Sequence, residues 1–253
     1  MLALVLAAAV LVGIDLARAS LPRPGRQTAA QAAPAPTAAP SAPATLRPMS
    51  RPSPSPTPAP DAMSFAQRGP GTFGYAETQG PLLGTAGAVR RFRIAVETGL
   101  AVTAEDFGTA ADQVLGDSRS WVAGGQLRLQ RVPRTASAEF TIYLATPETS
   151  RRMCATGGLY TEAFTSCRLP GQVIINVARW LTAIPGYGAP LAEYQAYALN
   201  HEVGHELGRG HEACPGPGQP APVMQQQTLG LKGCVANGWP YLDGRRYSGA
   251  PVP

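Results

Sequence analysis

Lysine is almost missing from this chain. It occurs once, as Lys232, so the formal charge of +5 is carried by arginine. The arginines are scattered, several of them in a Pro-rich stretch, and form no basic stripe of the kind nucleic-acid binding requires. No two cysteines stand as C-x-x-C, which argues against a zinc knuckle or a thioredoxin-like site. The apolar run from Leu2 to Ile14 is only 13 residues long, short of the roughly 20 that span a bilayer. It suits a signal-peptide core, and Ala17-Arg18-Ala19 supplies an A-x-A cleavage pattern that leaves Ser20 first in the mature chain. No basic residue precedes the run, so an uncleaved N-terminal anchor is the alternative; export follows from either. Internal repeats are absent as well.

Four cysteines are present, all in the C-terminal half: Cys154, Cys167, Cys214 and Cys234. An even count in an exported chain reads as two disulfides. Of the three possible pairings the local ones are favoured, Cys154 with Cys167 and Cys214 with Cys234. Residues 1–19 are thus read as a signal peptide or anchor. Residues 20–63 are Pro, Ala, Ser and Thr with scattered Arg, too poor in large apolar side chains to fold and stiffened by proline into a spacer. Residues 64–253 are read as one folded domain.

Within that domain, Phe65–Tyr75 is expected to form a loosely paired strand. Arg91–Glu97, Gln126–Val132 and Glu139–Ala145 alternate polar and apolar side chains as half-buried strands do. Thr103 opens a helix as N-cap, with Asp106 completing a capping-box-like pair, and Phe107, Ala110, Ala111 and Leu115 recur at helical spacing. A short helical turn is expected over Pro147–Met153. Leu159–Leu169 reads as an irregular edge, and Gln172–Ala178, apolar on both faces, as a buried strand. Pro190 introduces a helix from Leu191 to about Leu207 with an apolar stripe of Ala192, Ala196, Leu199, Val203 and Leu207. Tyr194, Ala198, His201 and His205 fall on a different face. The fold class is α+β.

All three histidines of the chain lie in one stretch of that helix and the turn beyond it, His201-Glu202-Val203-Gly204-His205-Glu206-Leu207-Gly208-Arg209-Gly210-His211. Residues four apart on a helix stand one turn above each other, so His201 and His205 can face one ion. Gly208 suits the point where the chain must turn back, bringing His211 in from outside the helix. Glu202 stands beside the first ligand, placed to act on water rather than to bind the metal. Three protein ligands with an open fourth position are what a catalytic zinc site needs, whereas structural sites are closed by four.

The long motif, followed by Met224 in a turn-prone segment, resembles the metzincin clan of zinc metallopeptidases. With its exported Pro-rich leader, the chain looks like an uncharacterised family of actinobacterial envelope proteins assigned to that clan. The resemblance implies a zincin-like domain: a mixed twisted sheet, a backing helix, an active-site helix and an irregular C-terminal subdomain. It implies that His201, His205 and His211 bind Zn2+, that Glu202 is the general base and that Met224 floors the site. Glu212 is similar to the astacin branch at that position. Astacins and serralysins carry a Tyr two residues after the Met; here it is Gln226, which leaves Tyr241 or Tyr247 as replacements. Asp61 is a further group that could approach the zinc. The expected activity is that of an exported endopeptidase acting on peptide or protein substrates outside the cytoplasm, with the N-terminus as the part that can associate with membrane or wall. The substrate chain is expected along an edge strand, either Leu159–Leu169 or Glu139–Ala145. Two other readings share the site: a non-catalytic zinc-containing binding module, and a cell-wall amidase.

Overall fold

A computed structural model describes residues 65–252. The expected signal peptide, the spacer and Asp61 lie outside the described residues. The elements run in the order β1 (Phe73–Tyr75), β2 (Leu82–Leu83), β3 (Ala88–Glu97), α1 (Ala104–Gly116), β4 (Leu127–Arg131), β5 (Phe140–Ala145), α2 (Pro147–Ala155), β6 (Cys167–Leu169), β7 (Gln172–Asn176), α3 (Val177–Thr182), α4 (Leu191–Glu206), β8 (Tyr241–Leu242) and β9 (Arg245–Arg246). The fold class is α+β, with one mixed sheet in the order β2-β4-β3-β5-β7-β6 and β1 added on β3. Strands β4, β3, β5 and β7 run parallel; β1, β2 and β6 are antiparallel to their neighbours.

Alternation decides what each face of the sheet carries. Phe92, Ile94, Val96, Phe140, Ile142, Leu144, Val173 and Ile175 point to one side and join Phe107 and Leu115 of α1 and Leu199 and Val203 of α4 in the main core. The opposite face is covered at the β7–β6 end by α2, where Ile174, Leu169 and the Cys154–Cys167 disulfide form a second cluster. Cys214–Cys234 is the other disulfide, so both local pairings occur. Two disulfides fit an oxidising, extracellular setting. No helix among the described residues is long and apolar enough to cross a membrane.

Helix α1 starts as its sequence dictates: the Thr103 hydroxyl accepts from the Asp106 N–H at 3.1 Å and donates to its carboxylate at 2.7 Å. The strand expected over Gln172–Ala178 ends early. The Asn176 side chain accepts from the Ala178 N–H at 3.0 Å and thereby caps α3, so Val177 and Ala178 begin a helix instead. The face assignment on α4 also needs correction. Ala192 is exposed, while Tyr194, on the expected ligand face, is 1% exposed and sealed into the core. From Ala196 to Gly204 the helix is buried on every side. Asn200 explains how a polar residue survives there: it accepts from the Ser120 hydroxyl at 2.7 Å, donates to the Gly238 carbonyl at 2.9 Å, and its own carbonyl accepts from Trp121 Nε1 at 2.8 Å. The residue before His201 is thus tied to the turn ahead of β4 and to the C-terminal segment together.

Candidate metal centre

Helix α4 ends in a Schellman motif. The Gly208 N–H donates to the His205 carbonyl at 3.0 Å and the Arg209 N–H to the Gly204 carbonyl at 2.9 Å, with Gly208 at φ +82°. That left-handed turn is open to glycine and strained for other residues. It swings the Arg209 carbonyl back to the helix, where it accepts from His205 Nδ1 at 2.8 Å. His201 Nδ1 finds the Val223 carbonyl, also at 2.8 Å. A carbonyl only accepts, so both Nδ1 atoms carry their hydrogen and both Nε2 atoms are left as lone pairs.

Those two Nε2 atoms face each other 3.2 Å apart. Two acceptors form no hydrogen bond, and in isolation the contact is repulsive. Two nitrogens bound tetrahedrally to one ion at about 2.0–2.1 Å stand about 3.3 Å apart, so the spacing fits shared ligation. His211 completes the group: one ligand atom from each of the three histidines lies within 4.8 Å of the others. The cluster can hold a metal ion, and its outer hydrogen bonds are of the kind that fixes imidazole tautomer and orientation. Burial, the largest cause in each case, lowers the pKa of all three; His201 is pushed down to about 3, with His205 contributing. The three imidazoles are therefore neutral at ordinary pH, and an arriving ion would have no proton to expel from them.

Glu202 is 7% exposed, faces the same cleft and has its carboxyl pushed up to about 8 by burial. The cleft measures about 760 Å³. It is lined by the Leu159–Arg168 segment, by α4 and the turn after it, and by Gln226, Thr228 and Leu229. Met224 is fully buried beneath the helix. A Cβ at Gly204 would stand 2.5 Å from Met224 Sδ and 2.7 Å from Trp121 Cζ2, so glycine at this position is what lets both side chains reach the helix backbone.

All four expected site residues thus meet in one place. Tyr241 and Tyr247, the expected replacements for a tyrosine after Met224, do not: neither faces the cleft, and the Tyr247 hydroxyl donates to the Pro220 carbonyl at 3.0 Å. Two other tyrosines do face it. Tyr160 is 90% exposed at the rim, and Tyr197 packs its ring 5.3 Å from that of His201. The spacing of Tyr197, four residues before His201 on the same helix, carried that signal. Strand β5 is interior to the sheet, between β3 and β7, so Glu139–Ala145 offers no edge to a substrate. Strand β6 is the outer strand at that end of the sheet, and Cys167 and Arg168 face the cleft.

The stretch after His211 is held from both sides, which its sequence did not reveal. The Glu212 N–H donates to the Met224 carbonyl at 3.1 Å, the Ala213 N–H to Ala250 at 2.8 Å, and the Val252 N–H to the His211 carbonyl at 3.1 Å. Glu212 itself accepts from Arg246 at 2.7 Å and from the Gly249 N–H at 3.3 Å. The C-terminal segment is thus a strap that fixes the backbone of His211. On the other flank, Glu206 accepts from Arg168 at 2.6 Å and ties the end of α4 to β6.

The chain belongs to the family described as "Protein of unknown function (DUF3152)", whose pattern matches residues 59–241. That span contains the three histidines, Glu202, Met224 and both disulfides. No curated protein and no solved structure matches the chain.

Proposed function

We propose that this member of the family is an exported zinc-dependent endopeptidase of metzincin-like architecture. The observation that carries the reading is the pair of imidazole lone pairs 3.2 Å apart, with His211 alongside and the buried Glu202 in the same cleft. Three nitrogen donors, with no fourth protein ligand beside them among the described residues, are a catalytic rather than a structural set for zinc. The parallel sheet closed by an antiparallel strand at the cleft, the helix ending in a glycine turn and the Met224 floor agree with the clan's plan.

Zinc, when bound, supplies a Lewis acid for the scissile carbonyl and brings the pKa of water near 7. The chain does the rest. Glu202 takes a proton from the attacking water on a carboxylate oxygen as the water oxygen joins the carbonyl carbon. It then delivers that proton to the amine nitrogen as the C–N bond breaks. Burial raises the Glu202 pKa in the metal-free site, and a bound dication would lower it again, leaving a carboxylate that can take the proton and, once protonated, return it. The free edge of β6 offers main-chain hydrogen bonds to an extended substrate, which sets the peptide bond over the site.

The test is hydrolysis of a peptide library by the full chain and by Glu202→Ala, with bound metal measured on both. The expected result is equal metal and loss of turnover by roughly two orders of magnitude or more in the variant. A metal-loaded wild type that hydrolyses no peptide overturns the reading. Cleavage of peptidoglycan fragments run alongside, with peptides untouched, would reassign the site to a cell-wall amidase.

A further inference from the structure

Seven large apolar side chains stand exposed among the described residues, and four of them line the one cleft: Leu159, Tyr160, Phe164 and Leu229. Single exposures scattered over a surface are ordinary; a cluster around a concave site marks a place of binding. Tyr160, the most exposed of the four, lends almost nothing to the core, so the fold gains little from holding its ring there. Charge does not compete with this lining. Apart from the histidine cluster and Glu202, the charged groups of the cleft are Arg168, Glu162 and Arg209. Arg168 is paired with Glu206 at 2.6 Å, and the exposed Glu162 and Arg209 are of opposite sign.

The segment that carries three of the four is held in one shape. The Phe164 N–H donates to the Thr161 carbonyl at 2.8 Å, the Ala163 carbonyl accepts from Asn176 at 2.9 Å, and Cys167 is bonded to Cys154. Glu162 and Ala163 are both kept at positive φ, 52° and 57°, strain that recurs where a loop must present its side chains in one way. The guanidinium carbon of Arg179 lies 4.6 Å from the centre of the Phe164 ring and steadies it. The segment runs directly into β6, whose free edge can receive an extended main chain. Leu229 comes from elsewhere in the chain, the short turn Gln227–Leu229 beyond Met224. Main-chain bonding at a strand edge is indifferent to sequence; apolar side chains beside that edge supply selection.

We infer that Leu159, Tyr160, Phe164 and Leu229 form a collar that selects polypeptide carrying a bulky apolar side chain, such as Leu or Phe, close to the scissile bond. The inference deepens the peptidase reading and rests on it for the role of the bound chain. Side chains of that kind are buried in folded proteins, so the substrate class is peptides and unfolded stretches of polypeptide. Closing the collar on such a side chain takes apolar surface of both partners out of water, a gain that Ser or Asp at the same position does not supply.

The experiment uses the zinc-loaded full chain and matched fluorogenic peptides in which one position at a time, on either side of the scissile bond, is Leu, Phe, Ser or Asp. Wild type is expected to favour Leu or Phe over Ser at one position or more by about ten- to hundred-fold in kcat/KM. Tyr160→Ser combined with Leu229→Ser is expected to lower that ratio by about tenfold. Leu82→Ser, which changes an exposed apolar residue outside the cleft, is expected to keep it. The ratio is the readout because damage to the fold lowers both members of a pair alike. Equal turnover of the matched peptides by wild type, or a ratio that the double variant leaves intact, overturns the inference and leaves the peptidase reading standing. So does a wild-type dimer that the double variant dissolves, without any apolar preference, since a second copy is then what covers the collar. If wild type cleaves no peptide, the peptidase reading fails separately, and equilibrium binding of the same peptides decides. Tighter binding of the Leu form that the double variant loses upholds the collar; binding without that dependence, or no binding, sinks it.

Discussion

Replacing Gly204 with alanine tests how closely the floor of the site is packed. A methyl group in mid-helix gains about 1 kcal/mol in propensity over glycine. It must be set against 2.5 Å to Met224 Sδ and 2.7 Å to Trp121 Cζ2, both well inside contact distance. Overpacking of this kind costs about 1–3 kcal/mol, so the net change is a loss of about 0–2. The position of the two neighbours decides within that range. Met224 is flexible but fully buried, so it can yield only by displacing other core atoms. Trp121 is pinned by its 2.8 Å bond to the Asn200 carbonyl. We therefore expect a loss of about 1–2 kcal/mol, or a melting temperature lower by about 2–8 °C. Displacing Met224 also moves the Val223 carbonyl that orients His201, so metal affinity should fall by about ten- to hundred-fold, as when a ligand's outer hydrogen bond is lost. Calorimetric unfolding of the chelated protein and a competition titration with metal measure the two effects. A variant more stable by the full 1 kcal/mol of propensity, with unchanged metal affinity, would refute the reasoning.

Three further outcomes follow from the same contacts. Asn200→Ala strands the Ser120 hydroxyl and the Gly238 carbonyl in the core, and denaturant titration should show a loss of about 2–4 kcal/mol. Cys154→Ser with Cys167→Ser opens a loop of sequence separation 13 and should cost about 3 kcal/mol, measured by the same titration. The metal-free protein should show a defined pH dependence. Burial raises Glu202 from 4.5 to about 8, so its contribution to stability is full below pH 4.5 and is lost as pH rises through 8. His201, lowered from 6.5 to about 3, contributes fully above pH 6.5 and loses that contribution as pH falls through 3. Of these two groups only Glu202 acts between pH 6.5 and 8. Stability in a chelator should therefore fall across that window in wild type and stay nearly level in Glu202→Gln.

The histidine cluster was legible because its geometry is local. Spacing of four along a helix and a glycine at its end are enough to bring His201, His205 and His211 together, and the turn that does so is built from backbone groups within six residues. The half-buried strands and the Thr103 cap were legible for the same reason. Features fixed by distant partners were not. Nothing near Tyr194 signals that its face meets Thr228 rather than solvent, and nothing in Gly249–Val252 signals pairing with His211–Ala213. The end of β7 was misjudged because Val177 and Ala178 suit a buried strand as well as a helix; the capping bond from Asn176 decided it.

X-ray absorption at the zinc edge of the zinc-loaded full chain tests the central claim most directly, because it counts and identifies the atoms around the ion. The account predicts one ion per chain with three imidazole nitrogens at about 2.0–2.1 Å and light-atom solvent in the remaining position. Sulfur in the shell, a fourth protein ligand closing it, or an unchanged spectrum in His211→Ala would contradict a three-histidine hydrolytic site.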